Sequence, residues 1–186
     1  MMPAVTTWSR APPAIHRAIR IDTLRQMSGV ASVVTLVELL RDNPESCRWT
    51  GGLSPEDLDR AERELGTAFP PAYRRFLAEL GSCDVDGTEF LGVYRTPAIG
   101  DTLLGTVSET LQARTDPRFP PDLLVIQHDG MGGLVSLDVS RRDDAGESPV
   151  VVWDPGSADR GGPERLADDF GAYALRQCRR ALTRGG

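Results

Sequence analysis

The chain has 186 residues, 40% apolar and 26% charged, with a formal net charge of −6. This is the composition of a soluble globular protein, long enough to bury a core without disulfides or metals. All 21 basic residues are arginine, which excludes a Walker-type phosphate lysine, a Schiff-base lysine and a Ser-Lys dyad.

The charge is unevenly spread. Residues 1–30 carry four arginines against Asp22, and residues 171–186 carry four arginines and no acid. Residues 79–170 carry eighteen acids against seven arginines. A body that acidic repels phosphate backbones and suits a basic protein partner rather than a nucleic acid. The longest apolar run, "ASVVTLVELL", is too short to cross a bilayer, and the N-terminus has scattered arginines in place of a continuous apolar signal segment. Cys47, Cys83 and Cys178 are odd in number, widely spaced and outside any C-x-x-C pair. They imply a reducing, cytoplasmic setting with neither a disulfide framework nor a zinc ribbon.

In chain order, residues 1–30 read as a basic tail, broken by Pro3, Pro12 and Pro13. Met27 stands just ahead of the first amphipathic pattern and is an alternative start. A single domain is expected over residues 31–182, with 183–186 as a short tail. Val33, Leu36, Val37 and Leu40 recur with helical spacing, and Pro44 marks the end. A loop is expected through "CRWTGG". "LSPEDLDRAERELG" predicts a helix with Ser54 as N-cap, Pro55 in the first turn and Gly66 as a left-handed C-cap. "FPPAYRRFLAELG" predicts another, opened by Pro70 and Pro71 and closed by Gly81, with Tyr73, Phe76, Leu77 and Leu80 facing inward. The short link between the two helices predicts a helical hairpin.

After Gly81 the apolar period changes. "CDVDGTEF" reads as an acidic turn, since its acids lack the register of a calcium loop. "TEFLGVY" predicts one strand from Thr88 to Tyr94, and "TVSETLQARTD" a short helix capped by Thr106 or Ser108. "LLVIQH", "LVSLDV" and "PVVVWD" predict three strands. "PERLADDFGAYALRQCRRAL" predicts a closing helix. The fold class is α+β, with an N-terminal helical hairpin, a largely antiparallel sheet and a C-terminal helix packed on it.

The most chemical stretch is "QHDGMGGLVSLDV". Gly130, Gly132 and Gly133 have the wrong spacing for a dinucleotide fingerprint, and a strand follows them rather than a helix. Asp129-Gly130 fits a hairpin turn. His128 has no nucleophile or orienting acid beside it, and its neighbour Asp129 points to the opposite face of a strand. No metal-ligand spacing appears. No catalytic residue, cofactor site or metal site is therefore assigned. Trp153, at the end of a strand, is either core or an interface anchor.

The order of these elements carries a resemblance. "SPEDLDRAERELGTAFPPAYRRFLAELG" resembles the opening signature of the SUKH superfamily of Smi/Knr-type domains, at Leu58, Glu62, Leu65, Gly66, Phe69, Pro70, Tyr73, Phe76 and Leu77. "LLVIQHDGMGGLVSLDV" resembles its strand, glycine-rich turn and strand. "SPVVVWDPG" resembles its "G-P-V-x-x-W-D" strand, with Ser148 in place of glycine, and "LADDFGAYAL" resembles its closing helix, with Asp169 in a serine position. The resemblance covers residues 33 to 182. It implies a non-enzymatic protein-binding domain, most simply an immunity protein that neutralises a cognate polymorphic toxin by stoichiometric binding. The alternative is a scaffold or regulatory Smi/Knr-type protein with no toxin partner. The expected contacts with a basic toxin domain are Asp84, Asp86, Glu89, Asp101, Asp129, His128 and Trp153, with neither nucleic acid nor membrane as partner.

Overall fold

A computed structural model of the chain describes residues 28–96, 98, 100–156 and 162–184. The expected N-terminal tail lies outside them apart from its last three residues, of which Ser28 caps the first helix by accepting from the Ala31 N–H. Among the described residues there are five α-helices and antiparallel sheets.

Helix α1, Gly29–Arg41, buries Val33, Leu36, Val37 and Leu40, the stripe its spacing predicts. Strand β1, Cys47–Trp49, follows. Helix α2, Pro55–Leu65, starts where Ser54 accepts from the Asp57 N–H, and ends at left-handed Gly66. Helix α3, Pro71–Leu80, buries Tyr73, Phe76, Leu77 and Leu80. Strands β2, Cys83–Val85, and β3, Thr88–Phe90, form a hairpin turning at Asp86 and Gly87, both at positive φ. This is the expected acidic turn, and β1 pairs with β2 to complete a three-stranded sheet.

Strands β4, Val93–Tyr94, and β5, Leu104–Gly105, form a small ladder that leads into helix α4, Thr106–Ala113. A four-stranded sheet follows in simple order: β6, Leu123–His128; β7, Leu134–Asp138; β8, Val150–Trp153; β9, Glu164–Ala167. Helix α5, Phe170–Arg184, closes the fold.

The four-stranded sheet separates two apolar layers. Leu124, Ile126, Val135, Leu137 and Val150 join α1, α3 and α5 in the main core. On the other face Leu123, Val125, Val151 and Trp153 pack with Leu91 and Phe119. This alternation is the period of two that a sheet covered on both faces requires. Helices α1 and α5 meet so closely that a Cβ on Gly171 would sit 2.0 Å from the Gly29 carbonyl oxygen.

Four expectations are corrected. The "CRWTGG" segment is not all loop, because Cys47–Trp49 pairs with β2. "TEFLGVY" is not one strand. Gly92 lies against the Gly81 backbone, and the Leu91 N–H leaves the ladder to donate to the Ile126 carbonyl at 2.8 Å. Thr106 and Ser108 do not cap α4; Gly105 holds that position, and the Thr106 hydroxyl is buried against Tyr73. The closing segment is a strand before it is a helix: Glu164–Ala167 pairs with β8, and Asp169 starts α5 by accepting from the Ala172 N–H at 2.8 Å. Edge pairing outweighs helix propensity there, and an aspartate next to the break makes the helix start cheap.

The three cysteines are buried free thiols. Distant in sequence, they share one region of the core, where Cys83 feels both Cys47 and Cys178. Burial pushes the Cys178 thiol up to about 12 and raises the other two as well. These are packing groups held as thiols, not nucleophiles.

Glu147 is a buried acid that serves a helix from a distance: 6% exposed, it accepts from the Ala72 N–H in the first turn of α3 at 2.9 Å. Its second oxygen has no hydrogen-bond partner. Burial pushes its carboxyl up to about 7, with Asp169 and Asp143 adding to the rise and Arg142 opposing it. A carboxyl raised in the folded state is more protonated there than in the unfolded chain, so its contribution is complete below pH 4.5 and is lost as pH climbs to about 7. Glu147→Gln removes that slope. The variant should match the parent near pH 4.5 and exceed it at pH 8 by up to about 3 kcal/mol, read from urea unfolding at both pH values. Equal stability differences at both pH values would contradict the assignment.

Candidate protein-docking groove

The β6–β7 hairpin is built around Asp129. Its Oδ1 accepts from the Met131 N–H at 2.7 Å and the Gly133 N–H at 2.8 Å, while its own N–H donates to the Gly133 carbonyl at 3.1 Å. Gly130 and Gly132 take φ of 78° and 100°, which only glycine adopts without strain. The turn that "DGMGG" predicts is thus a carboxylate-braced loop. It holds Met131 at its tip, 91% exposed.

Just before this turn β6 carries a bulge. Val125 faces Ser136, yet Gln127 faces Val135, so one extra residue is inserted on β6. Val125 belongs to the outer apolar layer, while Ile126 and Val135 belong to the main core. Regular alternation would turn Gln127 outward. The bulge keeps it on the α5 side instead, where its Oε1 accepts from the Tyr173 hydroxyl at 2.6 Å. His128 then takes the outer face, with its Nε2 3.2 Å from Glu109 Oε2 of α4.

These features surround a groove of about 590 Å³. Helix α5 forms one wall through Tyr173, Gln177 and Arg184, and the β2–β3 hairpin forms another through Gly87, Thr88 and Glu89. Leu91, Val135, Val152 and Leu166 supply an apolar floor, and His128, Asp129 and Gly130 close one side.

The seven expected contact residues divide clearly. Glu89, His128 and Asp129 line the groove. Asp84 and Asp86 lie on the same β2–β3 hairpin as Glu89, and Asp84 Oδ1 accepts from the Gly87 N–H at 3.3 Å. Among the described residues Asp84, Asp86, Glu89 and Asp129 make no ion pair. Asp101 is elsewhere. It bridges Arg60 and Arg95, each at 2.6 Å, and Arg95 also reaches Asp57 at 2.8 Å. Hydrogen bonds from Arg95 and Arg60 hold the Asp101 carboxyl below the usual range, and its charge is already matched. Trp153 is 5% exposed and packs edge-on to Phe119 at 5.1 Å, so its side chain belongs to the outer apolar layer. Among the described residues no group of three His, Cys, Asp or Glu side chains is placed to hold a metal ion, and no helix is long and apolar enough to cross a membrane.

Sequence reasoning missed Gln127 and Gln177. A bulge leaves no mark in composition, so Gln127 read as an ordinary strand residue. Gln177 is the next residue along the helical stripe after Tyr173, and that spacing was the available signal.

Asp129 carries the turn through two charge-assisted bonds. Asp129→Ala should cost about 1–2 kcal/mol and speed amide exchange at Met131 and Gly133, whereas Asp129→Asn, which keeps an acceptor, should lose less. Exchange at those two amides measured by NMR decides it; unchanged rates in the alanine variant would show that the glycines alone hold the turn.

A family model described as SUKH_6, SMI1-KNR4 cell-wall, matches residues 55–173. The match runs from the start of α2 to Tyr173 on the groove wall, and takes in the hairpin, the bulge and most of the main core. No curated protein matches the chain.

Proposed function

The chain belongs to the SUKH family of Smi/Knr-type protein-interaction domains, and we propose that it is an immunity protein that neutralises a cognate toxin by stoichiometric binding through the groove. The observation that supports this most is the local charge balance. Asp101 is bridged by two arginines, whereas among the described residues Asp86, Glu89 and Asp129 make no ion pair; Glu89 and Asp129 stand beside an apolar floor, and Arg48 lies across from Asp84 on β1. Unmatched carboxylates repel one another in the free protein, and a cationic partner relieves that repulsion on binding. They also steer a basic partner toward the groove, an effect that appears in the association rate and weakens with salt. A braced turn carrying an exposed methionine suits the same role, because a rigid apolar tip loses little entropy on docking.

The acidic stretch over residues 79–170 favours a basic toxin domain as partner, and three buried free thiols fit a reducing, cytoplasmic setting. The scaffold reading, without a toxin, predicts the same fold but no protection. Co-expression with the product of the adjacent gene separates them. The parent chain should restore growth, and the double variant Asp86→Arg/Glu89→Arg should lose protection, with association slowed about tenfold or more at low salt. Asp101→Asn, outside the groove, should protect like the parent. Full protection by the double variant would remove the acidic rim from the interface, and no rescue by the parent chain would favour the scaffold.

A further inference from the structure

The groove lies where two sheets nearly join. Strand β3 is the terminal strand of the three-stranded sheet, and β6 is the terminal strand of the four-stranded sheet. Each is paired on its other side, β3 with β2 and β6 with β7, and the outer edge of β6 is already capped at Val125, whose N–H donates to the Thr110 hydroxyl at 2.9 Å. The Leu91 N–H donates to the Ile126 carbonyl at 2.8 Å and closes one end of the gap. Beyond that bond the edges diverge. Thr88 and Glu89 line one side of the groove, Gln127 and His128 the other, and among the described residues no main-chain hydrogen bond spans them. The bulge at Gln127 contributes to the divergence, since bulges bend and twist the strand that carries them.

An open strand edge is a template for another strand. Here the template is short and flanked by side chains of definite chemistry. The α5 wall from Tyr173 to Arg184 rises about 16 Å at 1.5 Å per residue, which an extended chain covers in about five residues. Alternate residues of such a chain would face the apolar floor formed by Leu91, Val135 and Leu166. The residues between them would face the rim, where the carboxylates of Glu89 and Asp129 make no ion pair among the described residues.

From this placement we propose that the groove receives a short extended segment of the partner, about five residues of alternating cationic and apolar character, which adds as a strand against the uncapped ends of β3 and β6 at Glu89 and His128. The proposal rests on the protein-binding reading above and specifies how that groove is filled. Main-chain hydrogen bonds supply affinity, the floor selects apolar side chains at alternate positions, and Glu89 and Asp129 select arginine or lysine between them.

The probe is a synthetic acetyl-Arg-Val-Arg-Val-Arg-amide titrated into the full chain and followed by NMR. Saturable shifts should concentrate at Thr88, Glu89, Gln127 and His128, with amide exchange slowed at those positions. The same peptide N-methylated at all five residues has the same charge and lacks every residue's main-chain N–H, and should bind at least about tenfold more weakly, since it loses donors a β-addition requires. Glu89→Arg should weaken the parent peptide by a similar factor. Equal binding of the two peptides, shifts spread over the acidic surface, or no binding at millimolar peptide would each overturn the proposal. A concentration-dependent dimer protecting these same amides would assign the edge to a second copy of the chain, and so also overturn it. Protection against the toxin that persists while the peptide fails would retire the strand addition and leave the immunity reading standing.

Discussion

One aromatic cluster fixes the distance between the walls of the groove. Tyr73 of α3 is fully buried and stands edge-on to Phe170 at 4.9 Å, while Phe90 of β3 stands edge-on to both Phe170 and Tyr173 of α5 at 6.2 Å. The hairpin that carries Glu89 and the helix that carries Tyr173 are therefore held by the same rings. The Tyr73 hydroxyl adds direction to this packing. It donates to the Leu91 carbonyl at 2.8 Å and lies 2.5 Å from the Thr106 hydroxyl. Leu91 is where the chain leaves β3 and ties itself to β6, and Thr106 is where α4 begins. A buried hydroxyl without partners costs about 1–3 kcal/mol, so the chain must bring both groups to it. The gap between the two sheets is thus a consequence of core packing, and its walls are more rigid than an exposed loop would be.

The electrostatics divide the surface into matched and unmatched regions. Around Asp101, two arginines and two further acids, Asp57 and Glu64, form a set that ties α2 to Arg95 and Asp101. Exposed pairs of this kind contribute little to stability individually, at most about 1 kcal/mol. Their effect is to leave no free charge for a partner. On the β2–β3 hairpin the acids make no ion pair among the described residues, although Arg48 lies across from Asp84 on β1 and Arg184 stands on the far wall of the groove. At physiological salt screening acts over about 8 Å, so the hairpin acids act locally, on whatever enters the groove.

Much of the fold was legible because the chain punctuates its helices plainly. Ser54, Pro55 and Gly66 mark α2, the two prolines and Gly81 mark α3, and the helical stripe of α1 survives without any cap being assigned. The glycine turn was legible from Asp129-Gly130 alone. The elements that were not legible are those made by partners distant in sequence. Cys47–Trp49 is a strand because Cys83–Val85 lies beside it, and Glu164–Ala167 because Val150–Trp153 does. Neither has a pattern long enough to stand alone. The site was legible in part for a similar reason. Acidity pointed to Glu89 and Asp129, but acidity cannot distinguish a free aspartate from Asp101 within reach of two arginines. Trp153 carried an aromatic signal common to cores and interfaces, and its burial against Phe119 settles where the ring lies. The bulge that aims Gln127 at Tyr173 is a property of strand register, which no single segment encodes.

The central claim is that the gap between β3 and β6 is the surface that engages a protein partner. Hydrogen–deuterium exchange of the full chain, alone and saturated with the toxin domain proposed as its partner, tests this most directly. The structure predicts slowed exchange concentrated in residues 86–91 and 127–134, with little change around Asp101 and along α1. Protection confined to the Asp101 region or to α1, with the two edges exchanging as in the free protein, would contradict it.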